Sequence, residues 1–379
     1  MIRQIVSCRG WSSDAYWAAR AVVELERAGH DVTLVCKRRS EARVIRRARE
    51  AGVTHIETLE LSSGVKPLAD SMDLRRIVQW LPGTQVLHVH RGKEHWLAAL
   101  ANRLSSARRP LVRTRHIVQP VRPHALNRWL YRNATDLVVT VTDAIRLQLV
   151  AAELGAAERI VALPGGVDTD RFRADAPPAA GGGLRAALPG IPPDTPLIGL
   201  VSGFRVMKGH QTVVEAAARL AAAGQRFHLV FIGHGALLER VRGLVDAAGL
   251  QDRTSILGFV DDLPAAMTAL DVGIYSPLES DGMSRVLFEY LATGVPVVAT
   301  RVGVVPEVLS DGRTALLVPA GEPEPMAAAI GRLLADVGLR RELGTAGAAL
   351  VRARYSGQRL AGRLTTLYLS LGAADSASS

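Results

Sequence analysis

The chain of 379 residues is 48% apolar and 22% charged, with two cysteines and a formal net charge of +10 at pH 7. That length exceeds what one hydrophobic core usually organises and predicts two domains, and the composition excludes disordered and fibrous classes. No apolar run approaches the about 20 residues that cross a bilayer. The opening MIRQIVSCRG has no signal-peptide form, and Cys8 and Cys36, each at a strand end, predict two buried thiols rather than a disulfide framework or a zinc site.

In chain order, IRQIVSC (2–8) reads as a strand, followed by a small-residue loop containing Gly10, a helix over 15–28 that stops at Gly29, and the strand VTLVC (32–36). This is the β–loop–α–β opening of a nucleotide-binding α/β domain, without the three-glycine dinucleotide fingerprint. Gly10 either lets the backbone come close to a phosphate or is a simple turn glycine. Strands follow at 85–90, 110–114, 136–141 and 159–163, separated by helices around 94–104, 124–133 and 143–152. The run 174–196, rich in Ala, Gly and Pro, reads as a linker. A second alternating series has strands at 197–204, 227–233, 254–258, 271–275, 297–299 and 314–319. Its helices fall at 210–223, 236–248, 262–269 and 284–293, with three more helical segments from 325 to 370. The fold class expected is therefore α/β, two Rossmann-like domains with parallel sheets facing across a cleft. The predicted boundaries are 1–172, a linker 173–196, 197–352, a C-terminal helix 353–371 packing back towards the first domain, and a disordered tail 372–379.

Residues 1–172 hold 27 Lys and Arg against 17 Asp and Glu, and 173–379 hold 19 of each, so the whole charge excess lies in the first part. It is densest at 37–49 and 103–132. Such a half attracts an acidic partner, or is simply an arginine-rich face turned to water.

The stretch SPLESDGMSRVLFEYLATGVPVVAT (276–300) holds two carboxylates, Asp281 on a glycine-bearing loop and Glu289 inside the following helix. The free N–H groups of a helix N-terminus suit a phosphate, and Glu289 is placed to accept hydrogen bonds from hydroxyls attached to it. A solvated helix glutamate is the alternative. In SGFRVMKGHQ (202–211), Arg205 and Lys208 sit on a strand-to-helix loop, a charge pair suited to a diphosphate that gains charge as it leaves. His88 and His90 alternate onto one face of a strand with no third ligand, so metal is not expected. His116 follows a strand at its C-terminal edge, as a hydroxyl contact or a plain loop histidine. Asp168-Thr169-Asp170 reads as a capped turn.

SDGMSRVLFEYLATGVPVVATRVGVVPEVLSDGRTALLVP resembles the C-terminal signature of retaining glycosyltransferases of the two-domain GT-B fold, group 1, family four. PGGVDTDRF, FRVMKGH, IGHG, ILGFVDDLP and AGHDVTLV are similar to that family as well, in the same order along nearly the whole chain. The resemblance implies that Glu289 holds ribose hydroxyls and that Asp281 lies near the transferred sugar. It also implies that Gly282, Met283 and Ser284 meet sugar and phosphate through the backbone, and that Arg205 and Lys208 hold the diphosphate. Gly10 would be the N-domain loop glycine, His116 would face the donor sugar, and Gly258, Phe259 and Val260 would lie at the base. Two departures stand out. The first acid is usually Glu, and the arginine commonly lies five residues before the lysine, where this chain has Gly203.

The function expected from the resemblance is metal-independent, retaining transfer of a sugar from a nucleoside diphosphate sugar, with a UDP-sugar as the expected donor and no separate cofactor. The acceptor expected is a glycan or lipid-linked molecule of cell-surface polysaccharide or lipopolysaccharide assembly, and nucleic acid is not an expected partner. The basic half implies a cytoplasmic protein with peripheral contact at the anionic inner face of the membrane, the arginines of 108–115 being its candidate contact. The rivals are a sugar-nucleotide epimerase of the same fold and a non-catalytic polyanion-binding protein.

Overall fold

The computed structural model describes residues 1–38, 41–175, 183–280 and 282–372, with only the backbone of 41–43. Two compact units result, one of Met1–Gly166 together with the segment from Tyr355, the other of Val167–Arg354.

The first unit runs β1 (Ile2–Val6), α1 (Ser13–Arg27), β2 (Val32–Lys37), α2 (Glu41–Glu50), β3 (Ile56–Leu59), α3 (Pro67–Trp80), β4 (Val86–Val89) and α4 (Gly92–Leu104). It continues with β5 (Leu111–Arg115), α5 (Ala125–Arg128) and the π-helical turn Trp129–Asn133 that extends it, then β6 (Leu137–Thr140), α6 (Asp143–Ala151) and β7 (Ile160–Ala162). The seven strands are all parallel, in the order β3-β2-β1-β4-β5-β6-β7, with Ile5 opposite Val35 on one side and Val89 on the other. Helices cover both faces of such a sheet, which is why β1 is buried along its whole length, the polar Arg3 and Gln4 included.

Between 37 and 84, where the sequence pattern predicts no element, the structure has α2, β3 and α3. The signal there is weak for a physical reason. Strand β3 is a half-buried edge, and α3 buries only Asp73 and Ile77. The Asp73 carboxylate accepts hydrogen bonds from the backbone N–H groups of Glu60 and Leu61, both at 2.8 Å, and so fixes the loop after β3.

In the second unit, α7 (Gly183–Ala186) precedes β8 (Leu197–Val201), α8 (His210–Ala222), β9 (His228–Ile232), α9 (Leu238–Ala247), β10 (Thr254–Leu257) and α10 (Leu263–Thr268). Then come β11 (Val272–Tyr275), α11 (Arg285–Ala292), β12 (Val297–Thr300), α12 (Val305–Val308), β13 (Leu316–Val318), α13 (Pro323–Ala335) and α14 (Val337–Arg354). Six parallel strands take the order β10-β9-β8-β11-β12-β13 around a core that includes Phe204, Phe231, Ile274, Val298 and Leu343. Part of the stretch read as linker is packed: Leu184 and Leu188 are buried, and Arg185 donates to the Thr195 carbonyl at 3.1 Å. Residues 176–182 of that stretch, and 373–379 of the predicted tail, lie outside the described residues.

After Arg354 the chain rejoins the first unit as α15 (Gly357–Ser370), which lies on α1. In both sheets the strand order reverses once, between β1 and β4 and between β8 and β11. Loops leaving the C-terminal ends of those strand pairs diverge and leave a crevice, the usual ligand position in open α/β sheets.

Candidate functional site

At the reversal in the second unit, the chain leaves β8 through 202–209. Phe204 is fully buried and stacks on His210 at 4.6 Å between ring centroids, so the neighbouring Arg205 is turned outward and exposed. Lys208 closes a 3-10 turn just before Gly209, whose φ is +69°. A Cβ at Gly209 would collide with the carbonyl oxygen of Ser276, so only glycine lets this loop pass the loop after β11. The two loops are joined by Ser276 Oγ donating to the Lys208 carbonyl at 2.9 Å and by Leu278 N–H donating to the Met207 carbonyl at 2.8 Å. Burial, and then the charge of Lys208, depress the His210 pKa to about 4. Its neutral ring meets Ser202 Oγ at 3.2 Å.

The loop after β11 leads into α11. Gly282, at φ +89°, donates its N–H to Ser280 Oγ at 3.3 Å, and Ser284 caps the helix by accepting from Leu287 N–H at 3.4 Å. Met283 is buried. Asp281 lies outside the described residues. Helix α11 is fastened to β8 by Tyr290, whose hydroxyl accepts from Val201 N–H at 2.8 Å and donates to the Gly199 carbonyl at 2.9 Å. That anchor places Glu289 beside the reversal. Glu289 is 2% exposed, and its Oε1 pairs with Arg285 Nε at 3.0 Å. Its Oε2 is buried with no hydrogen-bond partner among the described residues. Burial raises the Glu289 pKa, opposed by the charges of Arg285 and Arg171. Neither arginine was singled out from the sequence, although the i, i+4 spacing of Arg285 and Glu289 is a helix-pair signal.

Gly258, Phe259 and Val260 follow β10, two strands or roughly 10 Å from the reversal. Phe259 is 73% exposed and packs on His234 at 4.3 Å between ring centroids. The His234 carbonyl in turn accepts from Phe204 N–H at 3.0 Å. A Cβ at Gly258 would meet nothing, so the fold itself does not require glycine there. A cavity of about 290 Å³ beside the start of α8 is lined by Arg205, Gln211, Arg240 and Gly321 but not by Lys208, Glu289 or residues 258–260.

Gly10 and His116 belong to the first unit. Gly10 makes a tight turn, its carbonyl accepting from Ser12 N–H at 2.8 Å, and a Cβ there would meet nothing. His116 ends a buried polar chain under Trp17. Gln4 Nε2 donates to the Tyr368 hydroxyl at 3.0 Å, which leaves Gln4 Oε1 to accept from His90 Nε2 at 2.6 Å. Burial holds His90 neutral, so its Nδ1 is an acceptor for His116 Nε2 at 3.0 Å. His116 therefore presents Nδ1 as a hydrogen-bond acceptor. Its pKa is depressed to about 3, mainly by burial, opposed by Asp14 and reinforced by Arg113, Arg91 and Arg115. His88 joins the same chain, meeting Tyr368 and Thr114, each at 2.6 Å. The pair LHVH thus serves this network. No group of three His, Cys, Asp or Glu side chains gathers as a metal site among the described residues. Asp168 caps a turn, its Oδ1 accepting from Arg171 N–H at 3.2 Å.

The arginines of 108–115 do not form the solvated patch expected of them. Arg113 and Arg115 are only 4% and 9% exposed because β5 is an inner strand, and Arg109 is spent on the carbonyls of Leu81 and Pro82. Both cysteines are buried thiols, and burial pushes Cys36 up to about 12. No helix among the described residues is long and apolar enough to cross a membrane.

The fold is shared with the crystal structure of Anabaena Alr3699/HepE in complex with UDP. The TM-score is 0.81 at 18% identity, over 98% of this chain and all of that one. The architecture is that of the two-domain GT-B glycosyltransferases. Residues 17–171 match the family described as Glycosyltransferase Family 4, and residues 195–336 match Glycosyl transferases group 1. The chain belongs to these group 1, family 4 glycosyltransferases. It is 35% identical over 216 residues to a 2-deoxystreptamine glucosyltransferase of Streptomyces kanamyceticus, covering 56% of this chain and 54% of the relative. It is 32% identical over 240 residues to a GDP-mannose-dependent α-(1-6)-phosphatidylinositol monomannoside mannosyltransferase of Mycobacterium tuberculosis, covering 61% of each. The chain thus spans less than two thirds of the length of these curated relatives.

Proposed function

We propose that this protein transfers a sugar from a nucleoside diphosphate sugar, a UDP-sugar, to a glycan or lipid-linked acceptor with retention at the anomeric carbon. The observation that supports this best is the buried Glu289 Oε2, an acceptor without a donor among the described residues. An unsatisfied buried carboxylate oxygen is costly, and the hydroxyls of a ribose would supply the missing donor. Arg205 and Lys208, one turn of chain before α8, and the backbone of Gly282, Met283 and Ser284 before α11 would hold the diphosphate. Asp281 and His116 are assigned to the sugar, His116 through its Nδ1 acceptor, while Gly10 and the segment Gly258, Phe259 and Val260 are assigned to the donor's phosphate side and base.

In this scheme the anomeric carbon–oxygen bond to the diphosphate breaks on the face where the acceptor oxygen bonds. The departing diphosphate oxygen takes the acceptor's hydroxyl proton. The cations stabilise the charge that develops on the leaving group, so positioning and electrostatics supply the rate and no metal is needed. The anomeric configuration is kept because departure and attack share one face.

A place in cell-surface glycan assembly at the inner membrane face is part of the same reading. It rests on the basic first unit and on exposed Val65, Leu68 and Met72 around Lys66. The mycobacterial relative, by its name, acts on a lipid-linked mannoside. The deciding measurement is thermal unfolding with UDP-, GDP- and ADP-sugars. A UDP-sugar is expected to raise Tm for the native chain, and Glu289→Gln to need about tenfold more of it for the same rise. Equal shifts for native and variant chains would remove Glu289 from the donor site.

A further inference from the structure

A cavity of about 790 Å³ opens at the strand-order reversal of the first unit. Its cationic lining is Arg9, Arg91, Lys93, Arg113, Arg115 and Arg122, against the single carboxylate of Asp14. Two of these cations are already neutralised. Arg91 pairs with Asp14 at 2.7 Å, and Lys93 with Asp70 at 2.5 Å. Arg113 is different. It projects from inner strand β5, is 4% exposed, and makes no ion pair among the described residues, and its Nε and Nη1 are buried without a hydrogen-bond partner. Arg115, two residues along the same strand and so on the same face, spends its Nη2 on the Gln119 carbonyl. The first turn of α4 lines the same cavity with Gly92 and Lys93.

A guanidinium kept in an inner strand with no ion pair, its charge felt among the acids by the buried Glu94, whose pKa burial raises, is unfavourable for folding. A fixed anion would relieve it, and the planar donor set of arginine matches phosphate oxygens. We propose that this cavity is a phosphate-binding subsite for the acceptor, with Arg113 and Arg115 as its charge partners and the start of α4 as its third wall. The site takes a phosphate monoester or diester carried by the acceptor molecule. This rests on reading the first unit as the acceptor side, but it makes a demand that the donor site does not make.

The test is calorimetric titration of the full chain, held saturated with UDP, by glycerol 3-phosphate. A parallel co-sedimentation uses phosphatidylcholine vesicles with and without phosphatidylglycerol. Glycerol 3-phosphate is expected to bind the native chain, and Arg113→Met to weaken it about tenfold or more while leaving UDP affinity unchanged. Arg113→Met is also expected to unfold at a temperature no lower than the native chain, because it removes a buried charge that has no ion pair among the described residues. A merely structural arginine would instead give a lower Tm. Arg122→Gln, on the exposed rim, keeps the question open to test if the strand variant fails to fold, and is expected to weaken binding less. Binding of glycerol 3-phosphate identifies a soluble phosphorylated acceptor. Vesicle binding that depends on both phosphatidylglycerol and Arg113 identifies a lipid headgroup. Failure of the native chain to bind either probe, or equal binding by Arg113→Met, overturns the proposal. Glu289→Gln is expected to bind UDP about tenfold more weakly and to keep its affinity for glycerol 3-phosphate, which separates failure here from failure of the donor reading.

Discussion

Tyr368 shows how much a single hydroxyl decides in the first unit. It accepts from Gln4 and meets His88, and through Gln4 and His90 it determines which nitrogen of His116 is left as an acceptor. Removing that hydroxyl would leave Gln4 Nε2 and His88 Nδ1 without partners inside an apolar shell that includes Trp17. Tyr368→Phe is therefore expected to cost about 1–3 kcal/mol of unfolding free energy, read as a lower urea midpoint at unchanged slope. A midpoint equal to the native chain's would mean that the network is not held as one unit. Glu289 and Arg113 are the complementary cases. Their unsatisfied atoms find no partner among the described residues, and each is assigned a ligand above.

At the scale of elements, the loops at the strand reversals matter more than the helices they lead into. The contact at Gly209 admits no Cβ, so Gly209→Ala has to part the 202–209 loop from the loop after β11 or strain its own backbone. A loss of about 1–3 kcal/mol is expected, together with weaker donor binding. An unchanged Tm and an unchanged donor affinity would show that the two loops are not coupled. The alternating strands and helices of both sheets were legible in the chain because strands covered on both faces are mostly apolar, as in LIGLV and VTLVC. The region 37–84 was not legible, because an edge strand and a largely exposed helix carry little periodic signal. In the candidate site, the loops around Lys208 and Glu289 stood out as glycine next to charge. The burial of Arg113 and Arg115 was invisible, since an arginine in a short strand reads the same whether its strand is inner or edge.

For the molecule as a whole, buried histidines set the response to acid. Burial is the main cause that lowers the pKa of His88, His90, His95, His116, His210 and His228, with His116 at about 3 and His210 at about 4. In the unfolded chain they ionise near 6.5, so between that pH and the folded values the unfolded state binds more protons and gains on the folded state. Asp14 acts in the same direction at lower pH. Burial would raise it, but His116, Ser12 and Arg91 outweigh burial and bring it to about 2, so its contribution fades between 3.8 and 2. Asp73, Glu94 and Glu289 have pKa values raised chiefly by burial and act in the opposite direction, but they are three against six. Tm is expected to fall from pH 7 to pH 5. A flat or rising profile would mean that the histidines are not held neutral.

The return of α15 to the first unit also bears on how the chain is made. Because Val167–Arg354 is one uninterrupted length, everything that unit needs has been synthesised before α15 appears. The first unit starts at the N-terminus yet lacks Tyr368 until nearly all of the described chain has been translated. During synthesis the earlier-begun unit is therefore the later one to be completed. Until then the apolar face of α1 and the inward ends of Gln4 and His88 have no cover of their own. That interval is the one in which a nascent chain of this protein leaves the α15-facing side of α1 open.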